Sequence, residues 1–269
     1  MSEFLAFAFV QRALITGVVL GVTCAVLAVF VVLRRMAFVG VGLSHAALGG
    51  VALGVVVGVP PLVAAAVFTT GVAWVVGWLG GRGEVSEDTA IGVFFPTAMA
   101  LGVILISLSP EYRQDLMGYL FGNILSVRTE EVGPLAGFCA LALGLLWFWF
   151  KELLYMGVDE EAARAAGIPV TALRYLLLTL LAVTIVAAMR LVGIVLVSAF
   201  LVIPAATGQA LARSLRSMVA VSVASALVAV VGGLWLSWTW DLPSGATVVM
   251  VSALLFFAAV PMGRWVRWG

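Results

Sequence analysis

The sequence predicts an all-α, polytopic membrane protein. Hydrophobic residues make up 64% of the chain and charged residues only 10%, and the mean hydropathy is +1.22. Uninterrupted apolar stretches repeatedly approach or exceed the roughly 20 residues that cross a bilayer as a helix. Such a chain lacks the polar surface of a soluble domain, so lipid is its solvent. In lipid the backbone must satisfy its own hydrogen bonds, and long continuous apolar runs do so as helices.

The first run covers 13–33 and ends at the pair Arg34 and Arg35. The second, 39–59, is dense in glycine, and the third covers 62–80. Further runs follow at 89–109, 131–150, 172–189, 191–212, 217–240 and 245–263. These are nine candidates, of which one or two are expected to be broken or re-entrant, with 191–212 the first suspect and the glycine-rich 39–59 the second. In "AFLVIPAATGQA", Pro204 lacks a backbone donor and strains the turn before it. Inside a bilayer such a break is tolerated only where neighbouring protein or a water-lined cavity satisfies the freed groups. The piece 113–126 is too polar to span and is expected at the surface. The opening "MSEFLAFAFVQRAL" lacks the basic region and cleavage site of a signal peptide. Cys24 and Cys139 both fall in apolar runs, which argues against a disulfide framework. No linker divides the chain, so residues 1–269 form one transmembrane domain.

Basic residues set the orientation. With the N-terminus outside, ten lie on the cytoplasmic side: Arg34, Arg35, Arg82, Lys151, Arg164, Arg174, Arg213, Arg216, Arg264 and Arg267. Four remain outside: Arg12, Arg113, Arg128 and Arg190. The tryptophans sit near the same span ends, where an amphipathic ring suits the headgroup level.

All thirteen acidic residues fall in loops or at span edges. Proton relays and cation-coupled carriers rely on carboxylates within the membrane, so both are disfavoured, as is an intramembrane aspartyl protease. Ser44 and His45 are sequence neighbours, about 100° apart on a helix, and cannot form a nucleophile–base pair. The single lysine, Lys151, and the lack of a phosphate-binding glycine loop exclude ATP binding by that route. Nothing points to nucleic acid. Any energy input must come from another subunit.

His45 is the only histidine. It stands in "RRMAFVGVGLSHAALGG", where Gly42, Ala46, Gly50, Gly54 and Gly58 recur every four residues as a small-residue stripe for close helix packing. A helical His45 lies about 60° from Gly42, beside that stripe. A neutral imidazole there fits three roles: metal ligand, hydrogen-bonded packing element or pore-lining group. One imidazole is few for a transition metal that prefers three or four ligands, but a symmetric dimer supplies two. The second informative stretch is "YMGVDEEAARAAGIPV". Asp159 is placed to cap a helix, Glu160 and Glu161 favour its first turn, Ala162 and its neighbours suit its body, and Gly167 with Pro169 stops it. It reads either as a solvated connector or as a docking helix carrying movement from a soluble motor.

Four stretches together resemble the membrane subunit of the zinc/manganese class of bacterial ABC importers. They are "RRMAFVGVGLSHAALGGVALG" (34–54), "SEDTAIGVFFPTAMALGVILISL" (86–108), "DLMGYLFGNILSV" (115–127) and "LVGIVLVSAFLVIPAATGQALARS" (191–214), in the order expected of that class. The resemblance implies a permease of about eight spans in a type II importer-like fold, sited in the bacterial plasma (inner) membrane. It implies a dimer, with a homodimer expected, two ATPase subunits and an extracytoplasmic metal-binding protein. Zinc or manganese, or otherwise iron(II), would be substrate, with no cofactor bound by the chain. Residues 156–170 then resemble the coupling segment, with Asp159, Glu160, Glu161, Ala162, Arg164 and Gly167 at the ATPase contact. Members of the class commonly carry an aspartate four residues before the histidine; here that position is Val41. His45 alone carries over as metal ligand, and imidazole without carboxylate favours zinc over manganese. The rival readings are a passive metal channel, a non-transporting membrane scaffold, and an importer of metal chelates, which would need a wider permease.

Overall fold

A computed structural model describes residues 7–83, 85–107, 122 and 124–268. Its elements are α1 (Ala8–Leu33), α2 (Ala37–Val57), α3 (Pro61–Gly81), α4 (Glu87–Ser107), a 3-10 turn (Ile124–Ser126), α5 (Thr129–Phe148), α6 (Phe150–Val158), α7 (Glu160–Ala165), α8 (Val170–Phe200), α9 (Ile203–Leu211), α10 (Leu215–Trp240) and α11 (Ser244–Trp268). Among the described residues there are no strands and nine helical stretches long and apolar enough to cross a membrane. The surface piece expected at 113–126 falls largely outside the described residues.

Ion pairs and loop contacts sort the helix ends into two sets. Arg12 donates to the Val127 carbonyl at 3.0 Å, so the start of α1 meets the start of α5. At the other end Arg34, Glu87, Glu160 and Arg174 meet. This division matches the arginine bias: Arg12 and the Arg128 neighbourhood lie at one end, Arg34, Arg164 and Arg174 at the other.

The run 39–59 is one continuous 21-residue helix, not a re-entrant loop. Its glycines make that possible. A Cβ on Gly49 would stand 2.5 Å from the Ala98 carbonyl oxygen of α4, and one on Gly50 2.6 Å from the Ala65 Cα of α3. Helix α2 is thus clasped on two sides by backbone rather than by side chains. Gly49→Ala is expected to destabilise the fold by about 1–3 kcal/mol through overpacking, read as a lower thermal midpoint in detergent; an unchanged midpoint contradicts the clasp.

The run 191–212 is the broken one. Gly193 adopts φ 80 inside α8 and lies against Gly122. The chain then returns through two short helical pieces separated at Leu201 and Val202, with Pro204 in the first turn of α9. There its missing donor is harmless, because first-turn N–H groups have no helical acceptor. The freed backbone lies within protein: Leu201 and Ala205 are fully buried. Helices α1, α2 and the first part of α8 form the interior, while α4, α5 and α11 are peripheral and expose apolar faces to the surrounding lipid.

Candidate functional site

Near the middle of α2, His45 is half-buried on the same face as Val41. Its Nδ1 lies 3.0 Å from the Val41 carbonyl oxygen. A carbonyl only accepts, so Nδ1 donates in this contact and Nε2 is the ring's remaining nitrogen. Backbone bonding of this kind fixes the tautomer and orientation of ligating histidines. The ring meets Phe95 of α4 edge-on, centroids 5.0 Å apart, and Phe38 packs edge-on to the same Phe95 at 6.4 Å. Ser44 turns away: its hydroxyl donates to the Gly40 carbonyl at 2.8 Å in the buried interior, so it forms no dyad with His45. Among the described residues no group of three or more His, Cys, Asp or Glu is placed to hold a metal ion. One copy therefore offers one oriented nitrogen backed by an aromatic wall.

The small-residue stripe divides by partner. Gly42 lies against Ile91 of α4, whereas Gly50 and Gly54 lie against α3 at Ala65 and Ala64. Ala46 is fully buried between them. Gly58 does not belong to the stripe. The helix ends at Val57, and Gly58 is its left-handed cap with φ 77 and open space where a Cβ would stand. Its role is the turn, which glycine enters without steric penalty.

The segment 156–170 begins inside α6 and contains the short helix α7. Asp159 Oδ1 accepts from the Ala162 N–H at 2.9 Å and caps α7. Gly167, at φ 79, ends it: its N–H reaches the Arg164 carbonyl at 3.1 Å and the Ile168 N–H reaches that of Ala163, also at 3.1 Å. Ala163 is buried and seats the helix, while Glu161, Arg164 and Gly167 face outward. Glu160, Glu161, Arg164 and Ala165 line an open hollow on that outer side.

Behind the hollow lies a charge cluster that sequence reasoning missed. Glu160 Oε1 accepts from Arg164 at 3.2 Å and from Arg174 Nη2, while Oε2 accepts from Arg34 Nη2 at 3.2 Å. Glu87 Oε1 lies 3.7 Å from Arg34 and 3.5 Å from Arg174. The Arg34, Glu87 and Arg174 side chains are 8%, 12% and 9% exposed, so these are internal charges rather than a solvated rim. Burial pulls the Arg34 guanidinium below its ordinary value, against the opposing pull of Glu87 and Glu160. Sequence distance hid the arrangement, since each residue taken alone is an ordinary span-end charge.

A discontinuous crossing and a polar nitrogen within a span are features of membrane transporters, and this all-helical bundle has both. The chain belongs to the ABC 3 transport family, whose model matches residues 6–263. It is 36% identical to the manganese transport system membrane protein MntC of Listeria monocytogenes over 96% of this chain and 92% of that protein. It is 38% identical to the high-affinity zinc uptake system membrane protein ZnuB of Haemophilus influenzae over 93% of this chain and 96% of the relative. The solved structure of PsaBC from Streptococcus pneumoniae in complex with Fab aligns with TM-score 0.86 and 36% identity, covering 99% of both chains. As a family member the chain is a multi-pass membrane subunit of a transport system, and ATP hydrolysis belongs to a separate subunit.

Proposed function

We propose that this chain is the permease subunit of an ABC importer for a divalent transition metal, with zinc as the preferred ion. The oriented Nε2 of His45 carries the reading. It is the one imidazole in the chain, and its α2 neighbour on the same face is Val41, not a carboxylate. Zinc bonds readily to imidazole nitrogen, whereas manganese prefers oxygen. A second copy of the chain brings a second His45, and water or backbone carbonyls complete the shell. A weak, open site suits a conduit, because an ion held tightly does not leave.

Residues 159–167 dock the ATPase, and an extracytoplasmic metal-binding protein delivers the ion to the opposite end. The names of the MntC and ZnuB relatives support the metal class. The exposed Glu161, Arg164 and Gly167 beside the open hollow support the docking surface. In the cycle, ATP-driven closure of the motor pushes the docking helix, and the spans alternate access around His45.

Uptake by proteoliposomes holding the permease, its ATPase and the binding protein tests this. Zinc is expected to enter with ATP and to suppress manganese and iron(II) entry when all three are present. Manganese entry indifferent to excess zinc refutes the preference. Metal flux without nucleotide would instead establish a passive channel.

A further inference from the structure

The cluster behind the docking helix joins four separate pieces of the chain. Arg34 follows α1 and stands three residues before α2 begins. Glu87 is the first residue of α4, Glu160 the first residue of α7, and Arg174 lies in the first turns of α8. Each carboxylate faces both Arg34 and Arg174, so two negative and two positive side chains alternate around the cluster. Arg164, 63% exposed, extends it to the outer surface. Arg174 also points Nη1 at the Gly77 carbonyl of α3, at 3.5 Å.

A static seat for a six-residue helix does not require this chemistry. Buried ion pairs are frequently no better for stability than apolar residues of similar volume, and their best-attested use is to specify register or to switch. Ala163 and Ile168 already give α7 an apolar underside. The charges do something apolar contacts cannot: each pairing can be exchanged for another as the helices shift, while the total charge stays balanced.

What the cluster grips is specific. Arg34 holds the entry to α2, and Glu87 the start of α4. Those two helices make the wall at the candidate ion position, His45 on one and Phe95 on the other, with ring centroids 5.0 Å apart. Between them the backbones nearly touch: a Cβ on Gly102 of α4 would lie 3.1 Å from the Gly49 Cα of α2. At Gly49 and Gly102 no side chain separates the two helices, so a relative displacement there meets backbone directly. A displacement applied at Arg34 and Glu87 therefore reaches His45 and Phe95 with little lost in deformation.

We propose that Arg34, Glu87 and Arg174 are positioning residues of transport, forming with Glu160 the joint that passes movement of 159–167 to the α2–α4 pair. This rests on the reading of 159–167 as the ATPase-docking helix. Exchange among its pairings would be the two-state element that a coupling route needs.

The test uses the assembled permease–ATPase complex in proteoliposomes with the metal-binding protein, and zinc and manganese as alternative probes. Glu87→Gln and Arg174→Gln are expected to retain the ATPase on purification and to hydrolyse ATP at the basal rate. Metal moved per ATP should fall about tenfold, within the usual span of coupling energies. The conservative variant Arg174→Lys keeps a positive charge beside Glu87 and Glu160 and is expected to retain most of the wild-type ratio. A wild-type ratio in both glutamine variants overturns the joint, and so does loss of the ATPase from them, since the cluster would then merely hold the docking surface. Should Glu87→Gln fail to fold, Glu87→Asp withdraws the same charge by one methylene. It is expected to lower the ratio severalfold, and an unaltered ratio again overturns the joint. A wild-type permease that recruits no ATPase refutes the underlying reading as well; one that couples normally alongside equally coupled Glu87 variants refutes the joint alone.

Discussion

Replacing His45 with alanine is expected to lower metal uptake at least tenfold while leaving assembly with the ATPase intact. The magnitude follows from what is removed. Losing even a supporting contact of a metal ligand commonly costs about 10- to 100-fold in affinity, and on the proposed reading the substitution removes a ligand itself. Among the described residues no neighbouring His, Cys, Asp or Glu cluster stands ready to replace it. Stability should change little, because the ring is only half-buried and alanine is the best helix former. A packing role predicts differently, and a second substitution separates the two. His45→Phe keeps an aromatic ring against Phe95 but has no nitrogen. If His45 is only a packing element, the phenylalanine variant transports normally; if it is the ion's partner, that variant fails as the alanine variant does. Initial rates of zinc uptake at matched protein levels decide between them.

Physical signals of different range explain what could be read from the chain. The membrane helices are local: each is a continuous apolar run, and solvation in lipid leaves such a run few alternatives to helix. Gly49 and Gly50 are local in type but not in partner. Their spacing marks a face for close approach, yet whether α3, α4 or a second chain fills it depends on tertiary packing. His45 is singled out by being the only imidazole. The bond made by its Nδ1 depends on one rotamer meeting the carbonyl four residues earlier, which composition does not encode. Least legible is the cluster of Arg34, Glu87, Glu160 and Arg174. These residues are far apart in sequence, and nothing in their immediate neighbourhoods distinguishes a buried joint from a solvated loop end. Only the chain path, by folding the helix ends together, converts four unremarkable charges into one balanced group.

Val41→Asp is expected to shift the preference from zinc toward manganese, by about tenfold in the ratio of initial uptake rates, the scale of one added ligand interaction. Val41 and His45 are four residues apart and share the half-buried face of α2, so a carboxylate at 41 reaches the space before Nε2. The Nδ1 bond survives the substitution, since its acceptor is the main-chain carbonyl. An oxygen donor then joins the nitrogen donor, which suits the harder manganese ion. Two effects oppose each other in the variant. An aspartate at the centre of a membrane helix costs about 2.5–3.5 kcal/mol on insertion scales; Val41, in the second turn of α2, incurs part of that cost, so the metal-free protein should be less stable than wild type. A bound dication neutralises that charge and returns stability in proportion to the logarithm of metal concentration over dissociation constant. The thermal midpoint of Val41→Asp should therefore rise with added manganese far more than that of wild type. A destabilised variant whose midpoint ignores manganese, and whose uptake ratio matches wild type, would show that residue 41 does not face the ion and that the path runs along another side of α2.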